Sequence, residues 1–159
     1  RFIAPNLSLV EQELTDLLWD RVSEQFRAFV GGTAFEELCR AWVLAQARAG
    51  TLPFVPEIVG SHWALDAQMD VVAVNWRDKA ILLGECKWGV EAVGRSTLRE
   101  LLDKTPLVLQ ALPEGGTGWR AWRALFARAG FTEAAQAEAR AHEVMLVDLA
   151  QLDKDLSTQ

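Results

Sequence analysis

Tyrosine is absent from this 159-residue chain, and cysteine, histidine and methionine occur only twice each. Two cysteines, Cys39 and Cys86, give no framework for a disulfide scaffold and fit a reduced, cytoplasmic setting. Two histidines, with no CxxC or HxxxH spacing, leave a structural zinc site without ligands. No run of about 18 uncharged apolar residues occurs, which excludes a transmembrane helix. An initiator methionine is missing too: Arg1 stands first, with no signal-peptide pattern behind it, and the expectation is a segment of a longer polypeptide. Positive charge is also short. Sixteen basic against 22 acidic side chains give a net charge of −6, which argues against a chain that coats nucleic acid electrostatically.

What is present is half apolar and about a quarter charged, the composition of one well-cored domain. The charge is unevenly spread. Residues 1–75 carry 5 basic and 10 acidic side chains, whereas residues 76–128 carry 9 and 6, a local net of +3. Five of the seven tryptophans (Trp63, Trp76, Trp88, Trp119 and Trp122) fall between 63 and 122.

Residues 1–9 read as a lead-in segment. Leu14, Leu17, Leu18, Val22, Phe26 and Phe29 recur at helical spacing and predict a helix over 10–29. Gly31-Gly32 then reads as a break, and Thr33 as the cap of a second helix over 33–48, ended by Gly50, Pro53 and Pro56. Residues 55–63 read as a short strand or a loop. The β-branched run 69–76 predicts a strand, Arg77-Asp78 a hairpin turn, and the apolar run 79–88 a partner strand buried on both faces. Helical spacing returns over 95–109, ending at Pro106 or slightly beyond. The Gly115–Gly118 turn follows, then a strand over 119–129, a helix over 132–141 and a strand over 143–149. This order predicts an α/β fold with a mixed sheet flanked by helices, an α-βββ-α-β core with an extra N-terminal helix.

One constellation stands out. Asp70 lies on one predicted strand and Glu85-Cys86-Lys87 on the next. Side chains i and i+2 of a strand share a face, so Glu85 and Lys87 project together while Cys86 points away. The turn at 77–78 brings Asp70 toward Glu85. Two carboxylates at one place form a hard-oxygen site suited to Mg²⁺ or Mn²⁺, to which the Cys86 carbonyl can add a ligand. An adjacent lysine can place an attacking water or neutralise phosphate charge. A plain surface ion pair between Glu85 and Lys87, worth less than about 1 kcal/mol, is the competing reading. It is weakened by the apolar runs on either side, where lone charges are costly. The Cys86 thiol itself reads as a core group.

The order Gly32-Thr33-Ala34-Phe35-Glu36-Glu37-Leu38-Cys39, Met69-Asp70-Val71-Val72-Ala73, Leu83-Gly84-Glu85-Cys86-Lys87-Trp88 and Arg128-Ala129-Gly130-Phe131-Thr132 resembles the PD-(D/E)xK, restriction-endonuclease-like superfamily. It is most similar to the uncharacterised C-terminal domain of archaeal-type ATPases. That resemblance implies a metal-dependent DNA nuclease in which Asp70 and Glu85 hold Mg²⁺ or Mn²⁺, Lys87 is the catalytic lysine and Glu36 an auxiliary acid. It implies a restriction-endonuclease-like domain over 31–159 with 1–30 as a helical extension. It also implies a parent chain bearing an N-terminal P-loop ATPase and a winged helix. No GxxxxGK(S/T) occurs, so this segment is not expected to bind ATP itself. Met69 stands where the superfamily pattern has proline. In the helix after the lysine, Arg95, Arg99 and Lys104 are the candidate nucleic-acid contacts, and pairing into a homodimer is compatible with the reading. The rival is a non-catalytic module of the same fold that docks nucleic acid or the ATPase.

Overall fold

The computed structural model describes residues 29–63 and 67–157, together with Asp16, Trp19, Val22, Ser23 and Phe26. The lead-in segment 1–9 and most of the helix expected over 10–29 lie outside the described residues; the described positions within 10–29 are helical. Contacts divide the chain into two units, Arg1–Phe35 and Glu36–Gln159. In the first, Gly31 and Gly32 do not break the chain and Thr33 does not cap a helix. Val30–Ala34 forms a π-helical turn that leads directly into the next helix. Two residues without side chains make this wider turn sterically open, so glycine here shapes a helical irregularity rather than an end.

Helix α1 (Phe35–Arg48), in the second unit from Glu36 on, is followed by three antiparallel strands: β1 (Ile58–Trp63), β2 (Gln68–Asn75) and β3 (Ala80–Lys87). Helix α2 (Arg95–Gln110) crosses to β4 (Arg120–Ala127), and α3 (Glu133–Ala141) crosses to β5 (Val144–Asp148). β3, β4 and β5 run parallel, so the five strands lie in the order β1-β2-β3-β4-β5 in one mixed sheet. The alternatives left open for 55–63 resolve as a strand. Helix α2 continues through Pro106 to Gln110. Pro106 lacks an amide donor but leaves the rest of the ladder running, and the Thr105 hydroxyl donates to the Leu101 carbonyl at 2.8 Å. One element was unforeseen: a C-terminal helix α4 (Leu149–Ser157), whose first turn is capped by Asp148 Oδ1 accepting from the Gln151 amide at 2.8 Å.

The central position of β3 explains its composition. Ile81 and Leu83 join Leu98, Leu101 and Val108 of α2 and Leu125 of β4 in one buried cluster. On α1, Trp42 meets Phe126 of β4 edge-on, with ring centroids 5.7 Å apart. The Trp42 indole N–H donates to Asp155 at 2.8 Å, which ties α4 to α1. At the hairpin, Asn75 Oδ1 accepts from the Asp78 amide and Lys79 adopts φ +47°, closing the turn expected at 77–78. No helix among the described residues is long and apolar enough to cross a membrane.

Gly84 sits where the sheet is tightest. A Cβ there would lie 3.0 Å from both Phe126 Cε2 and Val71 Cβ, so β2 and β4 close on it from both sides. Gly84→Ala is therefore expected to destabilise the fold by about 1–3 kcal/mol, measured as a lower urea midpoint. An unchanged midpoint would contradict this packing.

Candidate active site

The site forms where β2 and β3 part. Their ladder pairs Val71 with Gly84 and goes no further. The next groups along are Asp70 and Glu85-Cys86, and here a side chain takes over: Asp70 Oδ2 accepts from the Cys86 amide at 2.8 Å. This bond fixes the Asp70 carboxylate against the β3 backbone beside Glu85. Glu85 and Lys87 share a face, as the strand alternation requires, with Lys87 Nζ 3.3 Å from Glu85 Oε2. Lys104 of α2 reaches the other oxygen of Glu85 at 2.6 Å. Glu36, Gln68, Asp70, Glu85, Cys86, Lys87 and Lys104 together line a polar cleft of about 320 Å³.

Of the expected site residues, then, Asp70, Glu85, Cys86, Lys87, Glu36 and Lys104 come together. Arg95 and Arg99 do not line the cleft; both pair with Glu138 of α3, at 2.9 and 3.1 Å. Arg40 went unnoticed in the sequence. Its guanidinium donates to the backbone carbonyl of Asp70 at 2.6 Å, and its other contacts are Glu37 at 2.9 Å and Glu36 at 3.6 Å. It therefore holds α1 to β2 just behind the two acids. The available signal was the i, i+3 and i, i+4 spacing of Glu37 and Glu36 to Arg40, ordinary for a helix surface and without pointer to β2.

Burial and crowding of negative charge set the electrostatics. Burial, reinforced by Glu85, pushes the Asp70 carboxyl above its ordinary range, against the opposing pull of the Cys86 amide, Lys87 and Lys104. Glu36 is raised by burial and then by Asp70, while Arg40 opposes. The Cys86 thiol is pushed far up by its hydrogen bond with Cys39 and by burial, so it stays protonated and is no nucleophile.

The oxygen-rich donor set fits a divalent cation of the Mg²⁺ or Mn²⁺ type. Asp70 and Glu85 are hard carboxylate donors, and the raised Asp70 carboxyl marks negative charge that a cation would stabilise. Among the described residues no group of three or more His, Cys, Asp or Glu side chains is set to hold a metal. Two carboxylates and a backbone carbonyl are thus the candidate ligands.

Asp70→Asn keeps an acceptor for the Cys86 amide and removes the buried charge. Because the folded carboxyl titrates above its ordinary 3.8, stability falls as pH rises from 3.8 to that raised value and stays lower above it. Below 3.8 the carboxyl is protonated whether folded or unfolded and the cost vanishes. The variant is expected to melt higher than wild type at about pH 7 and level with it at about pH 3, measured by circular dichroism. A lower melting point at neutral pH would contradict this balance.

Residues 1–100 match the DUF234 family, described as Archaea bacterial proteins of unknown function. A curated relative, an uncharacterised protein of Methanocaldococcus jannaschii, is 28% identical over 88 residues, covering 55% of this chain and 19% of that protein. The DNA modification-dependent restriction endonuclease AspBHI aligns in structure over 85% of this chain and 34% of its own, with a TM-score of 0.51 and 16% identity. A repair endonuclease from Pyrococcus abyssi aligns over 72% of this chain and 46% of its own, with a TM-score of 0.49 and 16% identity. The chain thus spans about a fifth of the curated relative and less than half of either solved structure. At such identity the likeness to AspBHI is one of fold, and it agrees with the mixed five-stranded sheet and its flanking helices. With its family matched over the first 100 residues and its strands in this order, the chain belongs to the DUF234 family and has a restriction-endonuclease-like fold.

Proposed function

We infer that this is a metal-dependent DNA nuclease domain that hydrolyses phosphodiesters, appended to an ATPase and a winged helix in a longer cytoplasmic protein. The observation that carries the reading is the hydrogen bond from the Cys86 amide to Asp70, which sets two carboxylates and Lys87 at one cleft. A bound Mg²⁺ or Mn²⁺ would supply Lewis-acid polarisation of the phosphate and a more acidic water. Asp70, Glu85 and the Cys86 carbonyl are the groups that would hold it.

Lys87 Nζ stands at the mouth of this acidic set, half-exposed, with Glu85 holding it in place. From there it can place the attacking water and offset charge growing on the phosphate oxygens. Glu36, lifted above the ordinary carboxylate range, is suited to orient that water through a hydrogen bond. Lys104 meets the second oxygen of Glu85 at 2.6 Å, so a nearly buried carboxylate has a cation on each side.

The same two lysines favour a second reading. With both its oxygens engaged at 2.6 and 3.3 Å, Glu85 is already paired within the cleft, as in a non-catalytic module that docks nucleic acid or the ATPase. Cleavage separates the two. With Mg²⁺ or Mn²⁺ present, wild type is expected to cut linear, nicked or branched DNA. Asp70→Ala and Lys87→Ala are each expected to lower the rate at least about 100-fold. Equal cleavage by all three proteins, or none by wild type, would overturn the catalytic reading.

A further inference from the structure

The cations around the C-terminal ends of β3 and β4 differ in whether a carboxylate answers them. Lys87 and Lys104 share Glu85, Arg95 and Arg99 share Glu138, and Arg40 meets Glu36 and Glu37. Arg128 is exposed and has no carboxylate partner among the described residues. Its guanidinium carbon instead lies 4.6 Å from the centroid of the Trp88 ring.

Backbone bonds place this pair directly after Lys87 and Ala127 in the chain, while neither side chain lines the cleft itself. The Arg128 amide donates to the carbonyl of Lys87 at 3.0 Å, one residue beyond the Lys87–Ala127 pairing, so Arg128 and Trp88 leave the sheet side by side. The loops that follow are joined as well. The Val93 amide donates to the Gly130 carbonyl at 2.9 Å, the Thr132 amide donates to the Val93 carbonyl at 3.0 Å, and Val93 bridges to Phe131. Residues 88–94 and 128–132 therefore form one backbone-braced rim at the end of the parallel strands, where crevices of open sheets receive ligands.

We propose that Arg128, laid against Trp88, is a DNA-phosphate contact on the rim of the nuclease cleft, a role that Arg95 and Arg99 do not have. This rests on the nuclease reading for the purpose of the contact, and on the geometry above for its place. Held over the ring, the guanidinium keeps its outward N–H donors available to phosphate oxygens. It also limits the rotamers of a long side chain before binding, which lowers the entropy lost on contact. The partnerless charge answers the difficulty posed by a net charge of −6, because it is offered locally where a strand would run. A phosphate contact carries no sequence information, so its loss weakens all sequences alike.

The test is fluorescence anisotropy of two unrelated labelled DNA duplexes with the whole chain in EDTA, over a range of salt, beside cleavage assays in Mn²⁺. Arg128→Gln is expected to bind both duplexes about tenfold more weakly and to flatten the log–log salt slope by about 1. The double substitution Arg95→Gln, Arg99→Gln is expected to stay within about twofold of wild type with the slope nearly unchanged, because both side chains are held on Glu138 and away from the cleft. Unchanged affinity in Arg128→Gln, or weaker binding with an unchanged slope, would overturn the proposal while leaving wild-type cleavage to stand for the nuclease reading. Weakened binding with a flatter slope, but no cleavage by wild type, would support the contact and overturn the nuclease reading instead. A wild-type chain that neither binds nor cuts would overturn both.

Discussion

The hydrogen bond from the Cys86 amide to the Asp70 carboxylate occupies the place where the β2–β3 ladder stops, and the rest of the site is arranged around it. A backbone donor at a strand end must find a partner, and here a carboxylate supplies it. The consequence is positional. Asp70 is anchored to β3 rather than left to swing, Glu85 is its neighbour by register, and Lys87 follows on the same face. Arg40 grips the same residue from the other side through its carbonyl, so α1 and its Glu36 are located by the position of Asp70. Gly84, pressed between Val71 and Phe126, keeps β2 and β4 close enough for this to hold.

Such an arrangement is costly in charge. Asp70 and Glu36 are both held above the ordinary carboxylate range, chiefly by burial. Glu85 is nearly buried and balanced by two lysines. A fold selected for stability alone would place apolar residues here, since uncompensated buried charge is destabilising. Perturbed acids gathered in a cleft point to a functional site, and cation binding is the chemistry that would use the remaining negative charge. The basic residues of α2 are spent differently: Arg95 and Arg99 brace α3 through Glu138, and only Lys104 turns toward the cleft.

Much of this was legible beforehand because the relevant signals are local. The β-branched run of β2, the two-residue turn and the apolar run of β3 specify a hairpin, and period-two alternation puts Glu85 and Lys87 on one face. Other features depend on contacts distant in sequence. Helix α4 carried local signals, the cap at Asp148 and Leu149, Leu152 and Leu156 at helical spacing, but its tie to α1 through Trp42 donating to Asp155 spans 113 residues. Arg40 drew no notice because its decisive partner is a backbone carbonyl on β2, which no sequence spacing marks. Arg95, Arg99 and Lys104 were indistinguishable in sequence, since spacing along α2 does not say which of them meets Glu85 and which meets Glu138. Gly31-Gly32 misled because glycine serves a π-turn as readily as a helix end.

The proposed function stands on Asp70 and Glu85 forming a site for a hard divalent cation. Mn²⁺ titration followed by electron paramagnetic resonance tests it without requiring catalysis. Saturable Mn²⁺ binding is expected for the wild-type chain and is expected to be lost in both Asp70→Asn and Glu85→Gln, with the fold retained. Binding of equal strength in wild type and both variants, or none in wild type, would contradict it.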